Sequence, residues 1–415
     1  MTDSVTTEFI RANADGDVRR LALQAVRHPG VDMPFALDQI SGRQTARRKL
    51  PSWAAVDGLV YPPRLPMEQC SGEEAARHKA AVARRLCGPG GRMVDITGGF
   101  GVDFAFMARG FGSAVYVERQ ERLCAIARHN LPLLGLERAE VVCADGAEYL
   151  RHAPQADLVF ADPARRDAAG GRTFAIADCT PDVAALRPLL LAKGRHVMIK
   201  LSPMLDWRKA VADMGGCVGE VHIVSVGGEC KELLLVLPGQ EAHGPAVHCV
   251  CDGAELVFGA EEQDGGADGT GGSGGGLTEA DLPRLAGRLL YEPDAAVMKA
   301  GCFGLLERRF GVRSVSANSH LFVAEAAAEG FPGRAFAISR ATTMNKRSLK
   351  SALQGVAKAN IAVRNFPMTV AQLRRRLKMD DGGDCHIFAT TLADGTHTLL
   401  VCERIGGGKR HFNHR

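Results

Sequence analysis

A chain of 415 residues is longer than one ordinary hydrophobic core organises, so two or more domains are expected. Its composition, 46% apolar and 24% charged, is that of a soluble globular protein; no run of about 18 consecutive apolar residues occurs, which excludes a membrane-spanning helix. The formal charge of +4 hides an asymmetry: residues 277–415 carry 21 Lys/Arg against 12 Asp/Glu, and the remainder carries 30 against 35.

Residues 1 to about 55 read as mainly helical, with a polar, acidic start at Met1–Glu8 that lacks the apolar core of a signal peptide. A cytoplasmic chain with its twelve scattered cysteines reduced is therefore expected. The three prolines of Tyr61-Pro62-Pro63-Arg64-Leu65-Pro66 read as a connector closing an N-terminal region at residue 66. Ser71-Gly72-Glu73-Glu74 has the form of a capping box and predicts a helix to about Cys87.

From Arg92 onward short apolar runs alternate with helical patterns. Strands are predicted at 93–96, 114–117, 140–143, 158–161, 197–201, 221–226 and 233–237, with helices between them, for example 103–109 and 122–134. This alternation predicts an α/β fold: a doubly wound, mostly parallel seven-stranded sheet spanning 67–260. Glu261–Gly276 is glycine-rich and reads as a linker or loop. Beyond it, 277–405 reads as a small C-terminal α+β domain, in one or two subdomains. Helices are predicted there at 281–290, 321–329, 346–360 and 370–378, and strands at 334–339, 386–391 and 398–402, the last two joined by an Asp394-Gly395 turn. Residues 406–415 are a basic tail.

Three patterns point to chemistry. The first is Val94-Asp95-Ile96-Thr97-Gly98-Gly99-Phe100-Gly101, a strand ending in an acid before a glycine turn. Gly99 and Gly101 let the backbone approach a ligand, while Asp95 suits an ammonium and repels a phosphate. The second is a series of acids at the ends of successive strands: Glu118, placed to accept from ribose hydroxyls, then Asp145 and Asp162. Lys200 and Ser202 follow the fifth strand at the same sheet edge; Lys200 pairs with one of these acids or meets a substrate phosphate. The third is the stretch Gly330–Met379, with 11 basic residues and no acid, which reads as a surface for a polyanion. The Cys249-Val250-Cys251 pair after His248 lacks the second ligand pair of a zinc site, so no metal is expected.

The segment 92–237 resembles the class I methyltransferases that use S-adenosylmethionine (SAM). The order of parts resembles a bacterial family of such methyltransferases with a C-terminal THUMP-like domain. The resemblance is carried by Met67–Ser71, Asp95–Asp103, Asp162-Pro163-Ala164-Arg165-Arg166, Ile199–Pro203, Gly228–Leu233, Lys358–Ile361 and Arg364–Pro367. It implies SAM as cofactor: Asp95, Thr97, Gly99 and Gly101 hold its methionine part, Glu118 the ribose and Asp145 the adenine amine. It places Asp162 and Pro163 at the transferred methyl, with Arg165 among the catalytic residues. Arg165 stands where base-amine enzymes commonly carry an aromatic, so a guanidinium stacks on a base or holds a phosphate there.

The reading that follows is methyl transfer to a base in structured RNA (rRNA or tRNA). Substrate contacts are expected from Arg166, Lys200, Ser202, Lys346, Arg347, Arg364, Arg374 and Arg375, with no membrane and no metal. A methyltransferase acting on a small molecule or protein, and a non-catalytic SAM- or RNA-binding protein, are the alternatives.

Overall fold

The computed structural model describes residues 3–165, 176–238, 244–259, 262 and 275–405. Arg166, most of the glycine-rich segment and the tail 406–415 lie outside the described residues. The chain divides into two compact units: Met1–Val221 with Lys231–His243, and His222–Cys230 with Gly244–Arg415.

The first unit opens with helices α1 (Ser4–Ala12), α2 (Val18–Leu23), α3 (Met33–Lys49) and α4 (Pro51–Ala54). Asp3, Asp17 and Asp32 cap the first three by accepting a backbone N–H of the opening turn. The chain then runs extended through Val60 and Tyr61, where two side-chain amides stand in for a neighbouring strand. Gln39 donates to the Tyr61 carbonyl (2.9 Å) and accepts from its N–H (2.8 Å). Asn130 does the same for Val60, at 2.8 and 2.9 Å.

The connector predicted over residues 61–66 is in part a helix, α5 (Arg64–Gln69). Pro66 sits in its first turn, where a missing N–H loses no helical bond, so proline starts this helix rather than forbidding it. Helix α6 (Glu73–Cys87) follows as expected, but the capping box is not formed: Gly72 is the N-cap and no side chain caps it. The Ser71 hydroxyl donates instead to the buried carboxylate of Asp103.

The sheet of this unit alternates with helices: β1 (Arg92–Asp95), α7 (Val102–Ala108), β2 (Ser113–Glu118), α8 (Glu121–Leu133), β3 (Glu140–Cys143), α9 (Gly146–His152), β4 (Ala156–Ala161). A short ladder of β5 (Ala164–Arg165) and β6 (Cys179–Thr180) precedes α10 (Val183–Lys193), β7 (Gly194–Leu201), α11 (Trp207–Asp213), β8 (Glu220–Val226) and β9 (Glu229–Pro238). The strand order is β3-β2-β1-β4-β7-β9-β8, in a sheet of nine strands where seven were expected. The pairs β1–β2, β2–β3, β1–β4 and β4–β7 are parallel, and β9 runs antiparallel to β7. All seven predicted strands are present. The order reverses between β1 and β4, which opens a crevice at the carboxyl ends of the strands. Met93, Phe104, Tyr116, Leu158, Phe160 and Met198 make the core beneath it.

In the second unit β10 (Ala246–Cys251) and β11 (Ala254–Gly259) form a hairpin closed by Asp252 and Gly253, both with positive φ. Cys249 and Cys251 are thereby buried on one face of a strand; His248, on the other, lies 2.8 Å from Glu255. A separate seven-stranded sheet has the order β13-β14-β12-β15-β18-β17-β16. Its strands are β12 (Leu289–Pro293), β13 (Arg313–Ser314), β14 (Phe322–Ala324), β15 (Gly333–Thr343), β16 (Asn360–Arg364), β17 (Cys385–Thr391) and β18 (His397–Arg404).

Three helix expectations fail here. Residues 281–290 hold only a 3-10 turn, Glu279–Arg284, before β12, and 321–329 hold β14. In both places Leu290, Phe322 and Val323 find strand partners, Leu290 with Phe336 and Val323, and that pairing overrides a weak helical pattern. The third helix, expected to reach Asn360, ends at Ala352.

Candidate functional site

The carboxyl ends of the first unit's strands surround a cavity of about 830 Å³. Asp95, Glu118, Asp145 and Asp162 all line it, so the four strand-end acids predicted from the sequence converge on one space. Thr97, Gly99, Gly101, Pro163, Lys200 and Ser202 line it too.

The glycine turn is built by three constraints. Gly99 and Gly101 have φ of +57° and +83°, the left-handed region that side chains disfavour. Gly98 has a different reason, missed from the sequence: a Cβ there would lie 2.2 Å from the Tyr116 ring. Tyr116 is fully buried and its hydroxyl donates to the Gly99 carbonyl, which fixes the turn against β2. Glu118 holds the other side, accepting from Gly99 N–H at 3.0 Å and Gln120 N–H at 2.8 Å. Gly146 is also steric, since a Cβ would meet the Ile96 carbonyl oxygen at 2.0 Å.

Asp95 is 1% exposed. One carboxylate oxygen accepts from Thr97 N–H (2.9 Å) and Thr97 hydroxyl (3.2 Å). Burial, helped by the nearby Asp103 and Asp162 carboxylates, pushes its acid up to about 8 despite these bonds. The Thr97 hydroxyl in turn accepts from Asp162 N–H at 2.6 Å and ties β1 to the exit of β4. Asp145 caps α9 through Ala147 and Glu148 N–H, each at 3.0 Å, with its other carboxylate oxygen outside these bonds.

The opposite wall is charged and deeper. Lys200 Nζ lies 2.6 Å from Asp162 Oδ2 and 3.8 Å from Asp103 Oδ2. Burial lowers the Lys200 proton affinity, but the Asp162, Asp103 and Glu232 carboxylates outweigh it and hold the ammonium well above its ordinary range. Behind it Lys79, fully buried on α6, lies 3.2 Å from Asp103 and pairs with Glu232. Ser71 Oγ donates to Asp103 at 2.8 Å and accepts from Lys79 at 3.1 Å. Burial raises the Asp103 acid; the two lysines and Ser71 reverse that and hold it below the usual carboxylate range. Asp103 and Glu232 fall in segments that carry the resemblance but were given no role there, and Lys79 was not singled out, because a Lys on a helix of mixed charge reads as solvated.

The N-terminal region takes part in the site. Leu65, Pro66, Gln69, Cys70 and Ser71 line the cavity, and Trp53 and Tyr61 pack on Phe100 of the glycine turn at 5.2 and 6.3 Å. Arg165 contributes backbone pairing with Cys179.

In the second unit the basic stretch separates into two kinds. Arg364 is paired to the buried Glu292 at 2.7 Å, beside Arg334 on the same carboxylate, and Arg374 pairs with Asp381. Lys346, Arg347 and Lys350 on the helix Lys346–Ala352 and Arg375 and Arg376 on Val370–Leu377 are exposed, and no acid pairs with them among the described residues. No helix among the described residues is long and apolar enough to cross a membrane.

A large, mostly parallel sheet of this order, with an acid-lined cavity at its switch point, defines a methyltransferase fold. Family comparisons agree: residues 76–164 match the protein-L-isoaspartate(D-aspartate) O-methyltransferase family, 289–332 a ferredoxin-like domain and 333–404 a THUMP domain-like family. A solved structure from Porphyromonas gingivalis W83, described as a candidate methyltransferase, is 32% identical, with 98% of this chain and 100% of that one covered and a TM-score of 0.80. The chain therefore belongs to the methyltransferase family that carries a C-terminal THUMP-like domain. An rRNA methylase from Streptococcus thermophilus is 14% identical, covering 40% of this chain and 96% of its own, at a TM-score of 0.31. TrmN from Thermus thermophilus is 18% identical, covering 46% and 52%, at 0.30. No curated protein matches the chain significantly.

Proposed function

We propose that the chain is a class I methyltransferase that uses SAM and modifies a base in structured RNA, with the basic face of the THUMP-like domain gripping the phosphates. The observation that carries the cofactor reading is the donor set around the 830 Å³ cavity. Positive-φ glycines leave the backbone of the turn open to close approach. Glu118 is fixed by two backbone N–H groups on its two oxygens and keeps further lone pairs for a diol. Asp95 is a buried acid with no cation paired to it among the described residues, and an α-ammonium beside it would favour its charged form. These residues fit SAM: Asp95, Thr97, Gly99 and Gly101 at the methionine part, Glu118 at the ribose, Asp145 at the adenine.

Bound SAM supplies an electrophilic methyl on a sulfonium. The chain's own part is alignment: Lys200 fixes the Asp162 carboxylate, and Thr97 fixes the Asp162 backbone, so a nucleophile meeting Asp162-Pro163 is held in one orientation. Ser202 and Lys200 complete the acceptor side, to which the family resemblance also assigns Arg165 and Arg166. The RNA reading rests on the THUMP domain-like match and on Lys346, Arg347 and Arg375, exposed cations with no acid paired to them among the described residues; Arg364 and Arg374 already hold Glu292 and Asp381. Cytoplasmic residence goes with this reading.

The test is transfer of labelled methyl from SAM to RNA isolated from cells lacking the protein, with Asp162→Ala as control. Label in an RNA fraction, lost in the variant, is the expected result. Intact SAM binding with no labelled RNA would move the acceptor to a small molecule or protein.

A further inference from the structure

Two cysteines stand behind the cofactor side of the cavity, and nothing in the proposed reaction uses them. Cys124, in the first turn of α8, is fully buried; Cys143, at the end of β3, is exposed. The Cys124 thiol donates to the Glu118 carbonyl at 3.1 Å, and the Cys143 thiol reaches the Arg119 carbonyl at 3.9 Å. The two thiols are also in hydrogen-bonding contact with each other. Burial first, then the Cys143 thiol, pushes the Cys124 thiol up to about 12, so it keeps its proton at pH 7.

The pair sits between the residues assigned to the ribose and to the adenine. Glu118 is the partner of Cys143 across the sheet, and Asp145 follows Cys143 by two residues. Glu118, Arg119, Gln120, Leu123 and Asp145 all line the cavity. β3 is an edge strand and none of its four residues is buried, so it can shift without opening the core. Cys249 also touches Cys302, but both are buried, and an oxidant in solvent meets neither.

We propose that Cys124 and Cys143 form a modification site, a dithiol that a peroxide closes to a disulfide, and that the closed form binds the cofactor more weakly. This rests on the SAM reading above. The exposed Cys143 sulfur gives up its proton and attacks one peroxide oxygen; the O–O bond breaks and the departing hydroxide takes that proton as water. The Cys124 sulfur then attacks the Cys143 sulfenic acid, the S–S bond forms, and the hydroxide displaced takes the Cys124 proton as a second water. Two thiols lose two electrons in all, and one peroxide gains them. Closure removes both S–H donors from the Glu118 and Arg119 carbonyls and draws β3 and α8 together, which changes the spacing of Glu118 and Asp145. The coupling is reciprocal: a ligand that prefers the dithiol also resists its closure.

The test uses the full chain at pH 7, reduced or treated with hydrogen peroxide, with remaining thiols alkylated and peptides mapped by mass. The oxidised map should show a Cys124–Cys143 disulfide. Calorimetry should show S-adenosylhomocysteine binding about tenfold more weakly to that form, the scale of one lost hydrogen bond, with recovery on reduction by dithiothreitol. Cys143→Ser should bind like the reduced wild type with or without peroxide. Saturating S-adenosylhomocysteine should raise the midpoint potential of the pair by about 30 mV, the two-electron equivalent of tenfold. A map without this disulfide, a disulfide that leaves affinity unchanged, or a peroxide effect that persists in Cys143→Ser overturns the switch and leaves the cofactor reading standing. Reduced wild-type protein that fails to bind S-adenosylhomocysteine overturns the cofactor reading and the switch with it.

Discussion

Asp95→Asn should stabilise the ligand-free protein, and by an amount that depends on pH. The substitution keeps an oxygen to accept from Thr97 N–H and hydroxyl and removes only the ability to ionise. The wild-type acid stands at about 8 in the folded protein against an ordinary 3.8. A folded-state value raised above the unfolded one means that the native protein holds a proton the unfolded chain has released. Wild-type stability is therefore undiminished below about pH 4, falls as pH rises, and levels off above about pH 8. At about 1.4 kcal/mol per tenfold change in proton affinity, the cost grows by about 3–4 kcal/mol between about pH 5 and pH 8. Asn carries no such cost, so the melting temperature of Asp95→Asn should exceed that of wild type by several degrees at about pH 8 and much less at about pH 5. The same variant should lose SAM affinity, since the ammonium partner is gone. Scanning calorimetry at the two pH values is the assay. A difference that is the same at both, or a variant less stable at pH 8, would refute the argument.

Other expectations are as direct. Gly146→Ala should destabilise the first unit by about 1–3 kcal/mol, read as a lower urea midpoint with unchanged slope, because its Cβ would run into the backbone carbonyl and the Cβ of Ile96. Glu292→Ala should cost about 2 kcal/mol or more and be seen as earlier melting of the second unit, since Arg334 and Arg364 then face each other without their carboxylate. Replacing Lys346, Arg347 and Lys350 together by Glu should weaken RNA binding and flatten the plot of log affinity against log salt by about 2. An unchanged slope would remove that helix from the RNA face.

The sheet of the first unit was legible because its strands are short apolar runs, most of them ended by an acid or a glycine turn, and the acids converge on one cavity. Charge alone misled elsewhere. Lys79 lies on a helix of mixed charge, and nothing in its neighbours in sequence signals that Asp103 and Glu232, 24 and 153 residues away, will bury it. Ser71 spelled a cap, yet a buried carboxylate within reach is a stronger acceptor for its hydroxyl than a helix end exposed to water is a donor. In the second unit the strand around Phe322 was missed because three paired residues beside Ala-rich sequence carry too little period to read. Leu289–Pro293 is likewise too short to outweigh the apparent helix before it.

The amide brackets at Val60 and Tyr61 bear on how the enzyme meets its ligands. Four side-chain hydrogen bonds fix the extended segment that leads into α5, and α5 supplies one wall of the cavity. The bonds that hold that wall lie within the chain and need no ligand. Ligand entry then spends no free energy on ordering it, and affinity is not divided by the fraction of molecules in which the wall has formed. Loosening the bracket with Gln39→Ala should therefore appear as slower association and weaker binding, with the contacts to the ligand themselves unaltered.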